Sequence, residues 1–162
     1  MDTQASFLYL VGIGQGKVKV WSVSELDNVI ASLEPLKGAR LQEVKSSASD
    51  LVLGFYTAQR ILWLWLDLNS IRPVLLPWTE LPLPIGQHKS PLTLFLRAHF
   101  TDRVLRDIQR DPQQGRVIHL SFGRQEPGDP ELEIRLFPHG RNIIAKANGK
   151  QVSWQKPAAL TS

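Results

Sequence analysis

Short apolar runs separated by turn residues recur through most of this 162-residue chain, and they constrain its fold more than any other feature. Each run has the length of a β-strand, and the connections between them are a few residues long. Connections so short allow antiparallel neighbours but not the crossover that parallel strands need. We therefore predict an antiparallel meander from the four runs of the first half, which are ARLQEVKSS, DLVLGFYT, RILWLWLDL and SIRPVLLP.

The second half repeats this pattern. Asn148-Gly149 divides its last run into two strands, and this dipeptide is typical of a two-residue hairpin turn. In the first half, RILWLWL is apolar on both faces, so we assign Trp63 and Trp65 to the core rather than to base stacking. The later predicted strands are RVLRDIQRD, GRVIHLSFG, ELEIRLFP and the hairpin NIIAKANGKQVSW.

Two segments have helical patterns. Ser22 and Glu25 stand at capping-box spacing before apolar residues at helical period, which predicts a helix from Ser22 to Leu36. Ser90 caps a second predicted helix that runs through Phe100. The fold class is thus α+β: a mostly antiparallel β-sandwich of two sheets flanked by two helices. We expect a β-rich extension at 1–21, one domain at 22–156 with a proline-rich loop at 77–91, and a tail at 157–162.

The sequence lacks the residues that several kinds of chemistry require. There is no cysteine, which excludes disulfides, thiol catalysis and cysteine-based zinc sites. The histidines have no metal-ligand spacing, and GIGQGK leads into an alternating strand pattern rather than a phosphate-loop helix. Glu131 and Glu133 share a strand face without a partner base, and His119 is read as structural. We expect a binding protein rather than an enzyme, with no cofactor and no metal.

Apolar runs in the sequence are too short to cross a membrane, and the first residues lack the features of a signal peptide. We therefore expect a cytoplasmic protein with no membrane partner. The formal net charge is +4, and six arginines against three aspartates lie between Arg97 and Arg124. Such a stripe favours phosphate backbones as partners, although a solvated face without a ligand has the same composition.

The order of these pieces resembles the NFACT N-terminal domain of bacterial fibronectin-binding-protein-A-like proteins and ribosome quality-control factors. SELDNVIASLEPLKGARLQEV is similar to the opening helix and first strand of that family. SPLTLFLRAHF is similar to its P-P-x-x-x-x-L-L-R-K-H-L helix, with Arg97 and His99 in place and Ala98 where lysine is usual. GRVIHLSF matches its D-R-I-x-x-F strand through Arg116, and ELEIRLFPHGRNIIAKANGKQVSW matches its closing hairpin, including Asn142.

The resemblance implies a nucleic-acid-binding module that contacts transfer RNA on large ribosomal subunits with stalled nascent chains. It implies Arg97, His99, Arg116 and Asn142 as the contact residues, with Asn142 positioning the hairpin rather than reading a base. We predict that Arg97 and Arg116 lie on one solvent-facing surface. In the family an aspartate immediately precedes the strand arginine, and the pair is implicated in transfer RNA recognition. Here the aspartate position is Gly115. Full-length members continue into modules that this sequence lacks, which puts tail synthesis by this chain in doubt.

The same fold is implied for the N-terminal domain of formamidopyrimidine-DNA glycosylases. Those enzymes attack with an N-terminal proline followed by glutamate, whereas this sequence begins Met1-Asp2-Thr3. We therefore expect no base excision. Two alternatives to RNA binding stay open: a protein-interaction domain of adhesion or fibronectin-binding type, and a catalytically dead glycosylase-like DNA binder.

Overall fold

A computed structural model describes residues 22–48, 50–67, 72–76 (backbone only), 89–137 and 141–155. Two helices and nine strands in antiparallel sheets confirm the predicted α+β class within these residues. The predicted extension at 1–21, most of the proline-rich loop and the tail lie outside the described residues. The helices are α1 (Val23–Ser32) and α2 (Pro91–His99). The strands are β1 (Arg40–Ser46), β2 (Asp50–Tyr56), β3 (Ile61–Asp67), β4 (Arg72–Leu76), β5 (Leu105–Arg110), β6 (Val117–Phe122), β7 (Glu131–Arg135), β8 (Asn142–Ala147) and β9 (Lys150–Ser153).

Each half of the chain forms its own meander. Strands β1 to β4 pair in sequence order in the first sheet, and β5 to β9 pair in sequence order in the second. Every pairing is antiparallel, as the short connections require. Alternate residues along the strands point to opposite faces, and the apolar set from both sheets forms one core.

Phenylalanines join the two sheets. Phe55 of β2 and Phe122 of β6 stack with ring centroids 6.2 Å apart. Phe100, which ends α2, meets Phe122 edge to face at 5.1 Å. All three side chains are fully buried, so the facing surfaces of the sheets are in contact as a sandwich requires.

Both helices begin at predicted caps. The Ser22 hydroxyl accepts from the Glu25 N–H, and the Glu25 carboxylate accepts from the Ser22 N–H, which completes the capping box. The continuous helix ends at Ser32, earlier than predicted, because a 3-10 turn (Glu34–Leu36) that includes Pro35 follows it. Ser90 caps α2 as predicted, by accepting from the Thr93 N–H.

The two tryptophans are structural, as predicted. Trp63 is 5% exposed and lies across Gly54 of the neighbouring strand. Trp65 packs against the core and donates from its indole nitrogen to the Asp50 carboxylate at 2.9 Å. Among the described helices, none is long and apolar enough to span a membrane.

The edges of the two sheets meet where β1 begins and β5 is about to begin. The N–H of Leu41 donates to the carbonyl of Arg103 at 3.0 Å, and the N–H of Asp102 donates to the carbonyl of Leu41 at 2.8 Å. Arg40 and Val104 form an isolated antiparallel bridge at the same place. This junction brings Arg40 next to a segment more than sixty residues later in the chain.

Candidate nucleic-acid interface

Arg97 lies in the last turn of α2, where a cation is favourable because of the helix dipole. Its guanidinium donates from Nε and Nη2 to the carbonyl oxygen of Val44 in β1, at 3.2 and 2.8 Å. His99 lies in the same turn with its ring against Phe95, at a centroid distance of 4.4 Å. Both side chains are partly buried, and Arg97 joins the helix to the first sheet.

Arg116 lies in the turn that leads into β6, and its carbonyl accepts from the N–H of Leu136. A Cβ on the preceding Gly115 would lie 3.4 Å from Val23 of α1, so this turn is beside the first helix. Arg97 stands on α2, which packs on β1, β8 and β9. The prediction that Arg97 and Arg116 share one surface stays a prediction.

Asn142 is buried at the start of β8, and its side-chain amide is engaged on both sides. Nδ2 donates to the carbonyl of Gln155 at 3.0 Å, and Oδ1 accepts from the N–H groups of Gln155 and Ile143, each at 2.9 Å. The amide therefore closes the β8–β9 hairpin, which is the positioning role expected from the sequence.

Arginines outside the predicted set line an open cleft at the junction of the two sheets. Arg103 and Arg124 belong to the sequence stripe, and Arg40 comes from β1. All three are exposed, and the cleft has a volume of about 300 Å³. Within the described residues, the Arg103 and Arg124 side chains have no hydrogen-bond or ion-pair partner. We call this feature the arginine cleft; its lining residues are Arg40, Asp102, Arg103, Val104, Gly123, Arg124, Glu126 and Asp129.

The backbone on one side of the arginine cleft is held by Asp102. This residue lies three residues after α2 and has a left-handed φ of 70°, a conformation that aspartate tolerates better than most residues. Its carbonyl accepts from Arg40 Nη1 at 2.8 Å, and its carboxylate accepts from Gln42 Nε2 at 3.0 Å. The Arg40 and Arg103 side chains therefore start from a fixed piece of backbone.

The other side is held by Asp129. Its carboxylate oxygen Oδ2 accepts from the N–H of Arg124 at 2.9 Å and from the N–H of Glu126 at 2.7 Å. Gly123 precedes this turn with a φ of 94°, and a Cβ there would lie 2.6 Å from the Asp129 carboxyl carbon. Only glycine fits this turn without displacing the carboxylate that fixes Arg124.

A second polar group lies on the outer face of the second sheet, around His119 of β6. His119 Nε2 lies 2.8 Å from the Asp111 carboxylate, and Nδ1 faces Glu131 and Glu133 at 3.4 and 4.0 Å. Arg135 and Lys146 pair with Glu133, which is 6% exposed. Burial raises the pKa of Glu133, but these two cations outweigh burial and hold its pKa below the ordinary value.

The side chains of His119, Glu131 and Glu133 could hold a metal ion, since one ligand atom from each lies within 4.8 Å of the others. Arg135 and Lys146 already pair with the Glu133 carboxylate, so we describe the group as an ion-pair network on the sheet.

Sequence reasoning missed the arginine cleft as a site. Arg103 and Arg124 were counted in the arginine stripe, but no motif marked them, and Arg40 lies outside the stripe. The positive φ of Asp102 and the Asp129 turn belong to loops with no regular period. The only sequence signal was the excess of arginine itself.

Solved structures with the same fold include three proteins described by what they bind. The N-terminal domain of fibronectin-binding protein PavA from Streptococcus pneumoniae has a TM-score of 0.71 and 16% identity over 86% of this chain and 56% of that one. The N-terminal part of the fibronectin/fibrinogen-binding protein from Streptococcus suis has a TM-score of 0.66 and 18% identity over 80% of this chain and 51% of that one. The fibrinogen-binding protein from Staphylococcus aureus has a TM-score of 0.62 and 14% identity over 82% of this chain and 49% of that one.

This chain therefore spans about half the length of the solved structures that it resembles. No protein-family model matches the sequence, and no curated protein matches it. At these identities the likeness shows the fold, and it agrees with the fold implied by the sequence resemblance.

Proposed function

We propose that this chain is an RNA-binding module that holds its ligand through surface arginines. The observation that carries the proposal is that Arg103 and Arg124 line one cleft while their side chains have no partner within the described residues. Two other arginines have structural partners for their side chains. Arg110 pairs with Asp27 at 3.0 Å, and Arg97 donates to the Val44 carbonyl. Unpaired guanidinium groups that face a cleft suit phosphate ligands.

Transfer RNA on a large ribosomal subunit with a stalled nascent chain is the target that we propose. This step depends on the NFACT resemblance at Arg97, His99, Arg116 and Asn142. The Asn142 amide is engaged by the hairpin, and two of the Arg97 nitrogens are engaged by β1. We therefore give the arginine cleft the larger part in contact with the RNA, and Arg116 keeps the contact role that the resemblance implies. The missing aspartate at Gly115 predicts weaker discrimination between RNAs than in the resembled family.

Binding to transfer RNA measured against salt tests the proposal. Fluorescence anisotropy of labelled transfer RNA should show binding that weakens steeply between about 50 and 200 mM salt, because counterions compete for phosphate contacts. An unrelated RNA of equal length should bind with only slightly lower affinity. Absence of binding at the lowest salt, or an affinity that salt does not change, would contradict RNA binding.

Protein binding is a second candidate, favoured by the names of the three solved structures with this fold. A largely apolar protein interface would respond little to salt, whereas contacts to phosphate respond strongly. Immobilised fibronectin and fibrinogen are the ligands to test. Salt-resistant capture of either protein, together with no binding to RNA, would favour this candidate over the first.

A further inference from the structure

Preorganisation distinguishes the arginine cleft from a solvated patch of arginines. The three arginine-bearing segments, at Arg40, Arg103 and Arg124, are joined by main-chain hydrogen bonds. The Arg103 carbonyl accepts from Leu41, and the N–H of Gly123 donates to Val104 at 3.0 Å. A backbone that is already ordered loses little further entropy when a ligand binds, so this arrangement favours binding.

The lining of the arginine cleft selects backbone contacts over base contacts. Among the described residues that line it, none is aromatic, so they offer no ring on which a base could stack. Guanidinium groups match phosphate oxygens in a two-pronged geometry. Such contacts position a nucleic acid without reading its sequence.

The carboxylates of the arginine cleft differ in how many hydrogen bonds they already accept. Asp129 accepts two main-chain N–H groups, and Asp102 accepts from Gln42. The Glu126 carboxylate is exposed and has no hydrogen-bond or ion-pair partner within the described residues. A free acceptor among phosphate-binding arginines suits the ribose 2′-hydroxyl, which RNA has and DNA lacks.

We infer that the arginine cleft binds the ribose–phosphate backbone of folded RNA, with Arg103 and Arg124 on phosphates and Glu126 on a 2′-hydroxyl. This inference rests on the proposed function and names the site and the part of the ligand that it holds. The residues involved are different from those that the sequence resemblance implies.

The test compares the full chain with three variants on one RNA duplex, on a duplex of unrelated sequence and on the DNA duplex of the first sequence. The double variant Arg103→Gln and Arg124→Gln removes the two unpaired cations. Arg60→Gln is the matched control, because Arg60 is an exposed arginine in the β2–β3 turn that lines a different cleft. Glu126→Leu removes the free acceptor.

For the double variant we expect an RNA affinity about tenfold or more lower and a salt slope lower by about 2, since each lost phosphate contact removes about one. The loss should be the same for both RNA sequences, and Arg60→Gln should bind as the unaltered protein does. The unaltered protein should prefer RNA to DNA, and Glu126→Leu should reduce that preference. Circular dichroism and thermal melts of each variant confirm that it is folded.

Distinct results overturn the two proposals. If the unaltered protein binds RNA and the double variant binds it equally well, or if Arg60→Gln weakens binding as much, the arginine cleft is not the site and RNA binding stands. A loss confined to one RNA sequence overturns backbone binding. Equal affinity for RNA and DNA overturns the role of Glu126. If the unaltered protein binds no RNA, the proposed function fails and the inference fails with it.

Discussion

The guanidinium of Arg97 donates two hydrogen bonds to the main-chain carbonyl oxygen of Val44, from Nε at 3.2 Å and from Nη2 at 2.8 Å. This contact joins the end of α2 to β1. A second contact joins the start of the same helix to the same strand, because the buried hydroxyls of Thr93 and Ser46 lie 2.7 Å apart. An arginine that the sequence marks for RNA therefore also has a structural role.

Replacement of this arginine should lower stability. Arg97→Gln removes both charged donors from the Val44 carbonyl, and we expect a loss of about 1 to 2 kcal/mol in the free energy of unfolding. Urea denaturation followed by circular dichroism measures it. Arg60→Gln is the control, because an exposed arginine away from such contacts should change stability by less than about 0.5 kcal/mol. Equal stability of the two variants would show that the Val44 contact contributes nothing.

Asn142→Ala should destabilise the protein by about 1 to 3 kcal/mol, because it leaves main-chain groups of Gln155 and Ile143 without their partner. RNA affinity of the folded fraction should not change, since the amide already has partners on both sides. Thermal unfolding and RNA titration of the same preparation measure the two effects. Gln151→Ala, an exposed change in β9, is the control. A stable variant with weakened RNA binding would instead place Asn142 at the interface.

Acid should remove the contribution that the ionised Asp111 carboxylate makes to the stability of the folded protein. The hydrogen bond from His119, and then the N–H groups of Gln114 and Gln113, lower the pKa of Asp111 from 3.8 to about 2. Because the folded pKa lies below the unfolded pKa, this stabilisation is complete above about pH 5 and is lost progressively as the pH falls through the unfolded value towards 2. The Tm difference between the unaltered protein and Asp111→Asn should therefore shrink as the pH falls from about 5 towards 2.

His119→Gln supplies the control for this effect, since it removes the imidazole that contributes most to the lowered pKa. In this variant the pKa of Asp111 should return towards its ordinary value. Carbon-detected NMR of the carboxyl group measures the pKa directly. An ordinary pKa for Asp111 in the unaltered protein would contradict the network described around His119.

Gly115→Asp should fold normally and sharpen RNA selectivity. The backbone φ at Gly115 is not in the left-handed region, and an added Cβ would make an ordinary 3.4 Å contact with Val23. The new carboxylate would stand next to Arg116, as in the resembled family, and could accept from a ribose or a base. We expect the preference for transfer RNA over an unrelated RNA of equal length to rise about fivefold, as one hydrogen bond of about 1 kcal/mol would give.

Two further variants serve as controls for the effect of Gly115→Asp on RNA selectivity. Gly115→Asn adds a side chain of the same shape without the charge, and it should change selectivity less. Arg116→Ala should weaken binding to both RNAs and lower the salt slope by about 1. If Gly115→Asp and Arg116→Ala are folded and both bind as the unaltered protein does, the turn before β6 is not part of the interface.

Local patterns in the sequence were sufficient for the elements of the fold. Ser22 and Glu25 form the capping box that their spacing indicates, and Asn148-Gly149 is the turn between β8 and β9. The strands lie within a few residues of their predicted bounds because alternation and turn residues are read over short distances. The helix predicted to reach Leu36 ends instead at Ser32, where Pro35 and a 3-10 turn replace its last residues.

The sequence by itself determined two antiparallel meanders, two capped helices and a surplus of arginine, because each depends on neighbours within a few positions. Tertiary structure alone decided what each arginine does. The pairing of Leu41 with Arg103 brings Arg40 beside the arginine stripe, and Asp129 holds the backbone N–H of Arg124, which lines the same cleft. The packing of α2 on β1 places Arg97 where its guanidinium donates to the Val44 carbonyl. The contacts of Leu41 with Arg103 and of Arg97 with Val44 each join residues more than fifty positions apart. No periodicity in a sequence records such distances.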